Sequence, residues 1–199
     1  MNIINQWPLH DDFTLAEVDK FPSEIYQKQL NDYLVNEYPF LMWQQQLTEE
    51  AQEKIKELSS LTKDGFKLRI ALLKNNELVG FSFGWQENPT VFFMAASLVL
   101  PEYRKMGLYS KMAEKVLEIS QDKGFQSVSS FHVATNNPVI ISKLKLGFTI
   151  SGLQLDAVHG VLVRLIYHHN NLLKSAVRFR AGAIGESEVR NMLLGVATT

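Results

Sequence analysis

The sequence contains no cysteine among its 199 residues. Disulfide bonds, cysteine-ligated metal centres and a cysteine nucleophile are therefore excluded. The chain also lacks a strong charge of one sign, because 20 lysine and arginine residues face 21 aspartate and glutamate residues. A protein that binds nucleic acid usually shows a basic excess, so we predict that nucleic acid is not a partner of this chain.

Long apolar runs are missing as well. The longest one, Val91 to Leu100, is interrupted only by Ser97 and is too short to cross a bilayer as a helix. The first residues, Met1 to Leu15, show no basic stretch followed by an apolar one, so no secretory signal is expected. We therefore predict a cytoplasmic protein with no membrane partner.

Two nucleotide-binding motifs are absent too. The chain has no Gly-x-x-x-x-Gly-Lys-Ser/Thr loop and no Gly-x-Gly-x-x-Gly after a strand. These absences argue against a P-loop hydrolase and against a dinucleotide-binding fold. None of the five histidines belongs to a His-Glu-x-x-His motif, and we predict no metal site.

What the sequence does contain is an alternation of strand and helix patterns. Strands are predicted over 13–19, 66–72, 77–86, 91–100, 126–133, 148–155 and 158–167, with a tight turn at Asn75-Asn76 between the second and the third. Helices are predicted over about 24–38 with Ser23 as the cap, from a cap at Thr48, and over 108–123, 137–147 and 186–194. A helix on each side of the strand at 126–133 indicates an α/β fold with a mixed sheet.

Residues 1–168 are predicted to form one domain, and residues 169–199 an extension beyond its last strand. The extension either covers a sheet edge or contacts a second subunit, which would make the protein a homodimer. A row of small residues in the strand at 77–86, namely Gly80, Ser82 and Gly84, is also open to two interpretations. It provides either close packing against a helix or room for a ligand.

The most informative stretch runs from Val99 to Ser110, where a buried strand ends and a helix begins near Gly107. The first N–H groups of a helix have no internal partner, and the helix dipole makes that end positive. Gly107 allows close backbone approach, and Arg104 and Lys105 add positive charge. The stretch is therefore either a cradle for pyrophosphate or an ordinary strand–helix connection with a solvated basic turn.

This stretch resembles the acetyl-CoA signature of the GNAT superfamily of N-acetyltransferases. The signature is Arg or Gln, two residues, Gly, one residue, then Gly or Ala, and Arg104, Gly107 and Tyr109 hold those places. Tyr109 departs from the usual small residue. A second stretch, Asn136-Asn137-Pro138 through Lys145-Leu146-Gly147-Phe148, is similar to a later motif of the family, and the likeness extends over residues 66–168.

The resemblance implies a GNAT fold, with a central mixed, mostly antiparallel sheet that is flanked by helices and splayed at the acetyl-CoA site. It also implies acetyl-CoA as cosubstrate, with the pantetheine arm between the strands at 90–100 and 126–133. The arm would contact Asn136 and the backbone of Leu98, Val99 and Leu100, and an N–H near Val99 would steady the thioester oxygen. The pyrophosphate would lie on Arg104, Lys105, Met106, Gly107, Leu108, Tyr109 and Ser110.

The resemblance further implies direct attack of an amine on the thioester. An alkylamine has a pKa of about 10, so a base must remove its proton. His132 and Glu87 are the candidates, and His132 is equally well explained as a core or edge residue. The absence of cysteine agrees with a reaction without a cysteine acyl-enzyme.

Lys143 occupies the place where many family members carry a tyrosine that protonates the departing thiolate. Lys143 either serves as this acid or is a plain solvated residue, and the solvated interpretation is favoured because a thiolate with a pKa near 8.5 leaves readily. Tyr109 is a second candidate for the acid.

The function implied by the resemblance is N-acetyltransferase activity. A non-catalytic acyl-CoA-binding module is the alternative. The acceptor is either a small-molecule amine or an amine of a peptide or protein. An aromatic early segment with Tyr33, Tyr38, Phe40, Trp43 and Gln44 to Gln46 would either line the acceptor pocket or belong to the core.

Overall fold

A computed structural model of the chain describes residues 1–34, 47–60 and 65–194. The strands are β1 Ile3–Pro8, β2 Phe13–Val18, β3 Lys67–Lys74, β4 Glu77–Asn88, β5 Val91–Val99, β6 Ser127–Val133, β7 Thr149–Asp156 and β8 Gly160–His168. The helices are α1 Ser23–Tyr33, α2 Glu49–Ser60, α3 Leu108–Asp122, α4 Asn137–Lys145, α5 Asn171–Arg180 and α6 Glu186–Leu194.

The strands of the described residues form one open sheet in the order β1-β2-β3-β4-β5-β6-β8-β7. All neighbours are antiparallel except β5 and β6, which are parallel because α3 connects them as a crossover. The predicted mixed, mostly antiparallel sheet with flanking helices is therefore confirmed.

The sheet has two differently covered faces. On the α3 face, core residues of β3, β5 and β6 pack against α3 and α4, among them Ile70, Met94, Val128, Met112 and Ile140. On the α1 face, core residues of β2 to β5 pack against α1, among them Val18, Leu73, Phe81, Leu98 and Tyr26. Because successive strand residues point to opposite faces, these two sets fix which side of the sheet each site residue faces.

The predicted turns and caps agree with the structure with one exception. Asn75 and Asn76 both have positive φ in the turn between β3 and β4. The Thr48 hydroxyl accepts a hydrogen bond from the Ala51 N–H at the start of α2. The prediction that Ser23 caps the first helix is wrong, because Ser23 is the first residue of α1 and Pro22 holds the cap position without a side-chain hydrogen bond.

Two elements were not predicted, namely β1 at the sheet edge and α5 after the last strand. The start of α5 has a signal, since the Asn170 side chain accepts a hydrogen bond from the Leu173 N–H. The predicted segment with Tyr38, Phe40, Trp43 and Gln44 to Gln46 lies outside the described residues. Of the helices that the structure describes, none combines the length and the apolar character that a membrane crossing needs.

The pairing between β5 and β6 covers only the first part of both strands. The paired residues are Val91 with Ser127, Phe92 with Val128, and Phe93 with Ser129. Beyond this point, which we call the fork, residues 94–99 of β5 and 130–133 of β6 do not pair with each other, and we call the space between them the gap. The splayed sheet that the resemblance implied is therefore present.

Positions 80 and 84 require a small residue because the neighbouring strand β5 approaches them closely. A Cβ on Gly84 would lie 2.3 Å from the Phe93 carbonyl oxygen and 2.6 Å from the Phe92 ring. A Cβ on Gly80 would lie 2.6 Å from the Leu98 carbonyl oxygen. These distances support the packing interpretation over room for a ligand, although the close contact is with a strand rather than with the predicted helix.

We expect Gly84→Ala to lower the free energy of unfolding by about 2 kcal/mol, because the added methyl group displaces the β5 backbone or the Phe92 ring. Gly152→Ala in β7 is the matched control, since nothing lies within 4 Å of its Cβ position, and it should change stability by less than about 0.5 kcal/mol. Urea denaturation of both variants measures the difference. Equal stability of the two would contradict the close approach at Gly84.

Candidate active site

The loop between β5 and α3 contains two residues in the left-handed region of the backbone. Lys105 has φ 64° and Gly107 has φ 75°, and nothing lies within 4 Å of the Cβ position of Gly107. The Arg104 side chain folds back, and its Nε donates to the Val99 carbonyl oxygen at 3.0 Å. The loop is thus anchored to the end of β5 while Gly107 stays open to the outside.

The start of α3 leaves several backbone donors without intrahelical partners. The first hydrogen bond into the helix runs from the Lys111 N–H to the Gly107 carbonyl oxygen, so the N–H groups of Leu108, Tyr109 and Ser110 precede the ladder. The first turn carries no acidic side chain. These donors and the helix dipole favour an anion at this end.

Tyr109, one of the two candidate acids, turns its hydroxyl group inward. The hydroxyl oxygen is buried and has no hydrogen-bond partner within the described part of the chain. Burial raises the pKa of Tyr109 far above its ordinary value of 10.0. A phenol in this environment holds its proton tightly and is a poor proton donor near neutral pH.

The backbone of β5 presents only one of the three predicted arm-binding residues to the gap. The Leu100 N–H donates to the Val79 carbonyl oxygen of β4, and the Leu98 carbonyl oxygen lies against Gly80 of the same strand. The N–H and carbonyl groups of successive residues point to opposite sides of a strand, so the backbone N–H and carbonyl of Val99 face the gap. The prediction that Leu98 and Leu100 offer backbone groups to a ligand is wrong, because both turn toward β4.

Lys143 is almost completely buried, at 1% exposure, and its amine lies at the fork. Its Nζ donates to Ser130 Oγ of β6 at 2.7 Å and lies 3.6 Å from Met94 Sδ of β5. It also lies 4.6 Å from the centre of the Phe148 ring. The favoured interpretation of Lys143 as a solvated residue is therefore wrong: the side chain follows the buried face of α4 that Ile140 begins three residues earlier.

Burial lowers the pKa of Lys143 from 10.5 to about 7. Ser130 joins this amine to His132, whose Nε2 lies 3.1 Å from Ser130 Oγ. Burial, together with the positive charge of Lys143, lowers the pKa of His132 to about 3. Near neutral pH the histidine is therefore neutral, and Lys143 is the member of this group that exchanges a proton.

Glu87, the other candidate base, lies on the α1 face. Its Oε2 accepts a hydrogen bond from Ser129 Oγ at 2.9 Å and lies 3.4 Å from Arg164 Nη2. Arg164 in turn lies over the Phe131 ring. Since Ser129 and Ser130 are adjacent on β6, Glu87 and Lys143 are held on opposite faces of the sheet beside the same fork.

The comparisons with known proteins agree with this geometry. The sequence model described as the Acetyltransferase (GNAT) family matches residues 24–148, which is more than half of the chain. The chain belongs to the GNAT acetyltransferase family. None of the curated proteins compared with this GNAT chain matches it.

Solved GNAT structures share the fold at low sequence identity. A GNAT family acetyltransferase from Elizabethkingia anophelis with acetyl-CoA bound is 11% identical, with a TM-score of 0.55, and the match covers 79% of this chain and 99% of that one. Arabidopsis thaliana NAA60 in complex with acetyl-CoA is 16% identical, with a TM-score of 0.58 and coverage of 79% and 99%. The spermidine/spermine N-acetyltransferase SpeG from Vibrio cholerae is 12% identical, with a TM-score of 0.59 and coverage of 84% and 99%.

The structure thus gathers most of the predicted residues of this GNAT domain around one gap. Residues 104–110 lie at its outer end, Val99 on its wall, and Lys143 and His132 near the fork. Asn136 is exposed in the connection that leads from β6 to α4. No set of three or more His, Asp and Glu side chains able to hold a metal ion occurs in the three ranges that the structure describes.

Sequence reasoning missed the polar partners of the candidate residues. Ser129, Ser130 and Arg164 carry no motif, and Met94 is an ordinary core residue by type. Ser130 and His132 are two residues apart on β6 and therefore share a face, whereas Ser129 points to the other face. Once the contact between Ser129 and Glu87 is known, this alternation is enough to assign His132 and Glu87 to different faces.

Stability should report the burial of Lys143. The folded state favours the neutral amine between pH 7 and 10.5, whereas the unfolded chain binds a proton there, so stability rises with pH across this window. We expect the unfolding free energy of the wild type minus that of Lys143→Met to rise by up to about 1.4 kcal/mol per pH unit. Urea denaturation from pH 6 to 10 measures it.

Lys145→Met is the control for that series, because Lys145 lies on the same helix and is exposed. Its difference from the wild type should stay flat over the same pH range. A flat difference for Lys143→Met would mean that the amine is not buried in solution.

Proposed function

We propose that this GNAT protein is an N-acetyltransferase that transfers the acetyl group of acetyl-CoA to an amine by direct attack. The observation that carries the proposal is the gap between β5 and β6. The start of α3, with its backbone N–H groups, lies at the outer end of the gap. The Val99 N–H lies on its wall, and the amine of Lys143 lies at the fork. The N-acetyltransferase SpeG, which shares the fold, supports an amine as the acceptor.

The pyrophosphate of acetyl-CoA would bind the loop at the start of α3. The free N–H groups of Leu108, Tyr109 and Ser110 supply hydrogen bonds, and the left-handed Gly107 leaves space for phosphate oxygens. Lys105 and Met106 are exposed in the same loop, and Lys105 contributes positive charge. Arg104 acts mainly by anchoring the loop, because its Nε is engaged by the Val99 carbonyl.

The pantetheine arm would lie in the gap, where β5 has lost its parallel neighbour. The inward N–H of Val99 is available to an extended ligand, and Asn136 is exposed beside the other wall. A backbone donor held on a strand is preorganised to stabilise an oxyanion as the thioester is attacked.

We assign the base role to Glu87 rather than to His132. His132 lies on the α3 face beside Lys143, and its Nε2 is engaged by the Ser130 hydroxyl, so it is not free to receive a proton from an acceptor. Glu87 lies on the α1 face, where the aromatic rings of Trp85, Phe93 and Phe131 offer a half-exposed surface for an acceptor. Glu87 would act on the amine directly or through one water molecule.

We assign the acid role to Lys143. A donor works best when its pKa lies near the working pH, and burial brings the pKa of Lys143 to about 7. Tyr109 has the opposite tendency, because burial raises its pKa. The proton donor and the base would then act from opposite faces of the sheet, with the thioester between them.

Acetyl-CoA binding should depend on Gly107. We expect Gly107→Ala to weaken binding at least tenfold, because the methyl group occupies the space left for the phosphates. Gly124→Ala is the matched control: Gly124 has φ 92°, also has nothing within 4 Å of its Cβ position, and lies at the opposite end of α3. Both variants place alanine at a positive φ, and titration calorimetry should show a loss of affinity only for Gly107→Ala.

Turnover should depend on Glu87. We expect thiol release from acetyl-CoA with at least one of three acceptor types, namely a polyamine, a peptide with a free amino terminus and a lysine peptide. Glu87→Gln should lower kcat on the order of a hundredfold and leave acetyl-CoA affinity unchanged, because a base acts on the acceptor. Glu77→Gln, at the exposed start of the same strand, is the control. Stabilisation by acetyl-CoA without thiol release would favour the non-catalytic binding module.

A further inference from the structure

The amine of Lys143 is a buried polar group that lies where the two walls of the gap meet. It contacts the first residue beyond the fork on each strand, Met94 on β5 and Ser130 on β6. With 1% of its surface exposed, the side chain is closed to reagents from bulk solvent. Because Met94 and Ser130 also form the inner end of the gap, a ligand in the gap would come nearest to this amine there.

The gap has a direction that brings the reactive end of its ligand toward Lys143. The helix start at Gly107 follows the far end of β5, and the fork lies at Met94. From Val99 back to Met94 the strand spans about 17 Å. An extended thioester whose phosphates bind at Gly107 and whose arm follows β5 therefore points its acyl end toward the fork.

We propose that Lys143 is a self-acetylation site, which takes the acetyl group of bound acetyl-CoA when no acceptor amine is present. This inference rests on the proposed binding of acetyl-CoA in the gap. It assigns to Lys143 a second reaction in addition to proton donation. The product is Nε-acetyl-Lys143, formed once per chain.

The chemistry is a simple aminolysis. The lone pair of the neutral Nζ attacks the thioester carbonyl carbon, a C–N bond forms, and the C–S bond breaks as the thiolate leaves with its electron pair. The nitrogen then loses one proton to the thiolate, whose pKa is about 8.5, so the products are an amide and free CoA thiol. No further reactant is needed.

The surroundings of Lys143 make its amine a nucleophile near neutral pH. Burial is the cause of its lowered pKa, and no carboxylate among the described residues offsets it. The groups that face the amine are the hydroxyl of Ser130 and, behind it, the neutral His132 on β6, the thioether of Met94 on β5, and the Phe148 ring. An ordinary lysine, with a pKa of about 10.4, is almost fully protonated at the same pH.

Acetylation would have a functional consequence. The amide carries no charge and donates no proton to a thiolate, so a modified chain loses the acid that we assign to Lys143. An acceptor amine on the α1 face competes for the same acetyl group. The protein would thus lose activity when acetyl-CoA is abundant and the acceptor is missing.

The test is incubation of the full chain with acetyl-CoA whose acetyl group is trideuterated, without any amine, followed by peptide mass spectrometry. The heavy label excludes acetylation acquired during expression. We expect close to one heavy acetyl group at Lys143, at a rate that saturates with acetyl-CoA. The rate should be half-maximal near pH 7 and level off about one pH unit higher, where most of the amine is neutral.

Three variants serve as controls. Lys145→Arg should be labelled at Lys143 like the wild type, because Lys145 is exposed and lies outside the gap. Gly107→Ala should slow labelling at least tenfold, since it weakens the binding that delivers the acetyl group. Lys143→Arg keeps a positive charge and should show no label at this position.

The outcomes separate this proposal from the proposed function. If acetyl-CoA stabilises the protein and thiol release proceeds with an amine, but Lys143 stays unlabelled without one, self-acetylation is wrong and the transferase stands. Labelling that is linear in acetyl-CoA and equal at Lys143 and Lys145 would also overturn it, because bulk chemistry would then explain the modification. Because the label is mapped in the wild type, a folding defect of Lys143→Arg leaves the result intact.

Discussion

The parallel pairing between β5 and β6 ends after Phe93 and Ser129, and the candidate site depends on that interruption. Strands that part leave backbone groups that need other partners. Arg104 supplies one for the Val99 carbonyl, and Val161 of β8 accepts from the N–H that follows β6, at Ala134. The Val99 N–H remains directed into the gap. A break in one ladder therefore creates both the space for an extended ligand and the donor on its wall.

The fork also decides which groups can cooperate. Adjacent residues of β6 point to opposite faces, so Ser129 holds Glu87 on one side of the sheet and Ser130 holds Lys143 on the other. A ligand that lies in the gap, between the two strands, would be accessible to side chains on both faces of the sheet. Side chains on opposite faces cannot contact each other through the paired part of the sheet. This separation would let Glu87 and Lys143 serve one reaction without forming an ion pair with each other.

The elements and the loop that precedes α3 could be predicted from the sequence because their signals are local. Periodicity, the Asn75-Asn76 turn and Gly107 each depend on neighbours in the chain. The backbone direction of Leu98 and Leu100 could not be predicted, because the register between β4 and β5 skips Ala95, and one extra residue reverses the alternation beyond it. The burial of Lys143 was missed for another reason: lysine is almost never buried, and only the tertiary position of α4 overrides that tendency.

In the proposed mechanism, an amine instead of a phenol at the fork would change the energetics of the leaving group. An ammonium with a pKa of about 7 gives its proton to a thiolate with a pKa of about 8.5 downhill, by about 2 kcal/mol. A buried phenol such as Tyr109 would transfer it uphill. Proton donation, however, leaves Lys143 as a neutral amine beside an acyl carrier. The lowered pKa that would make Lys143 an effective acid would also make its amine a nucleophile. The burial that would aid departure of the thiolate would therefore also favour the proposed acetylation.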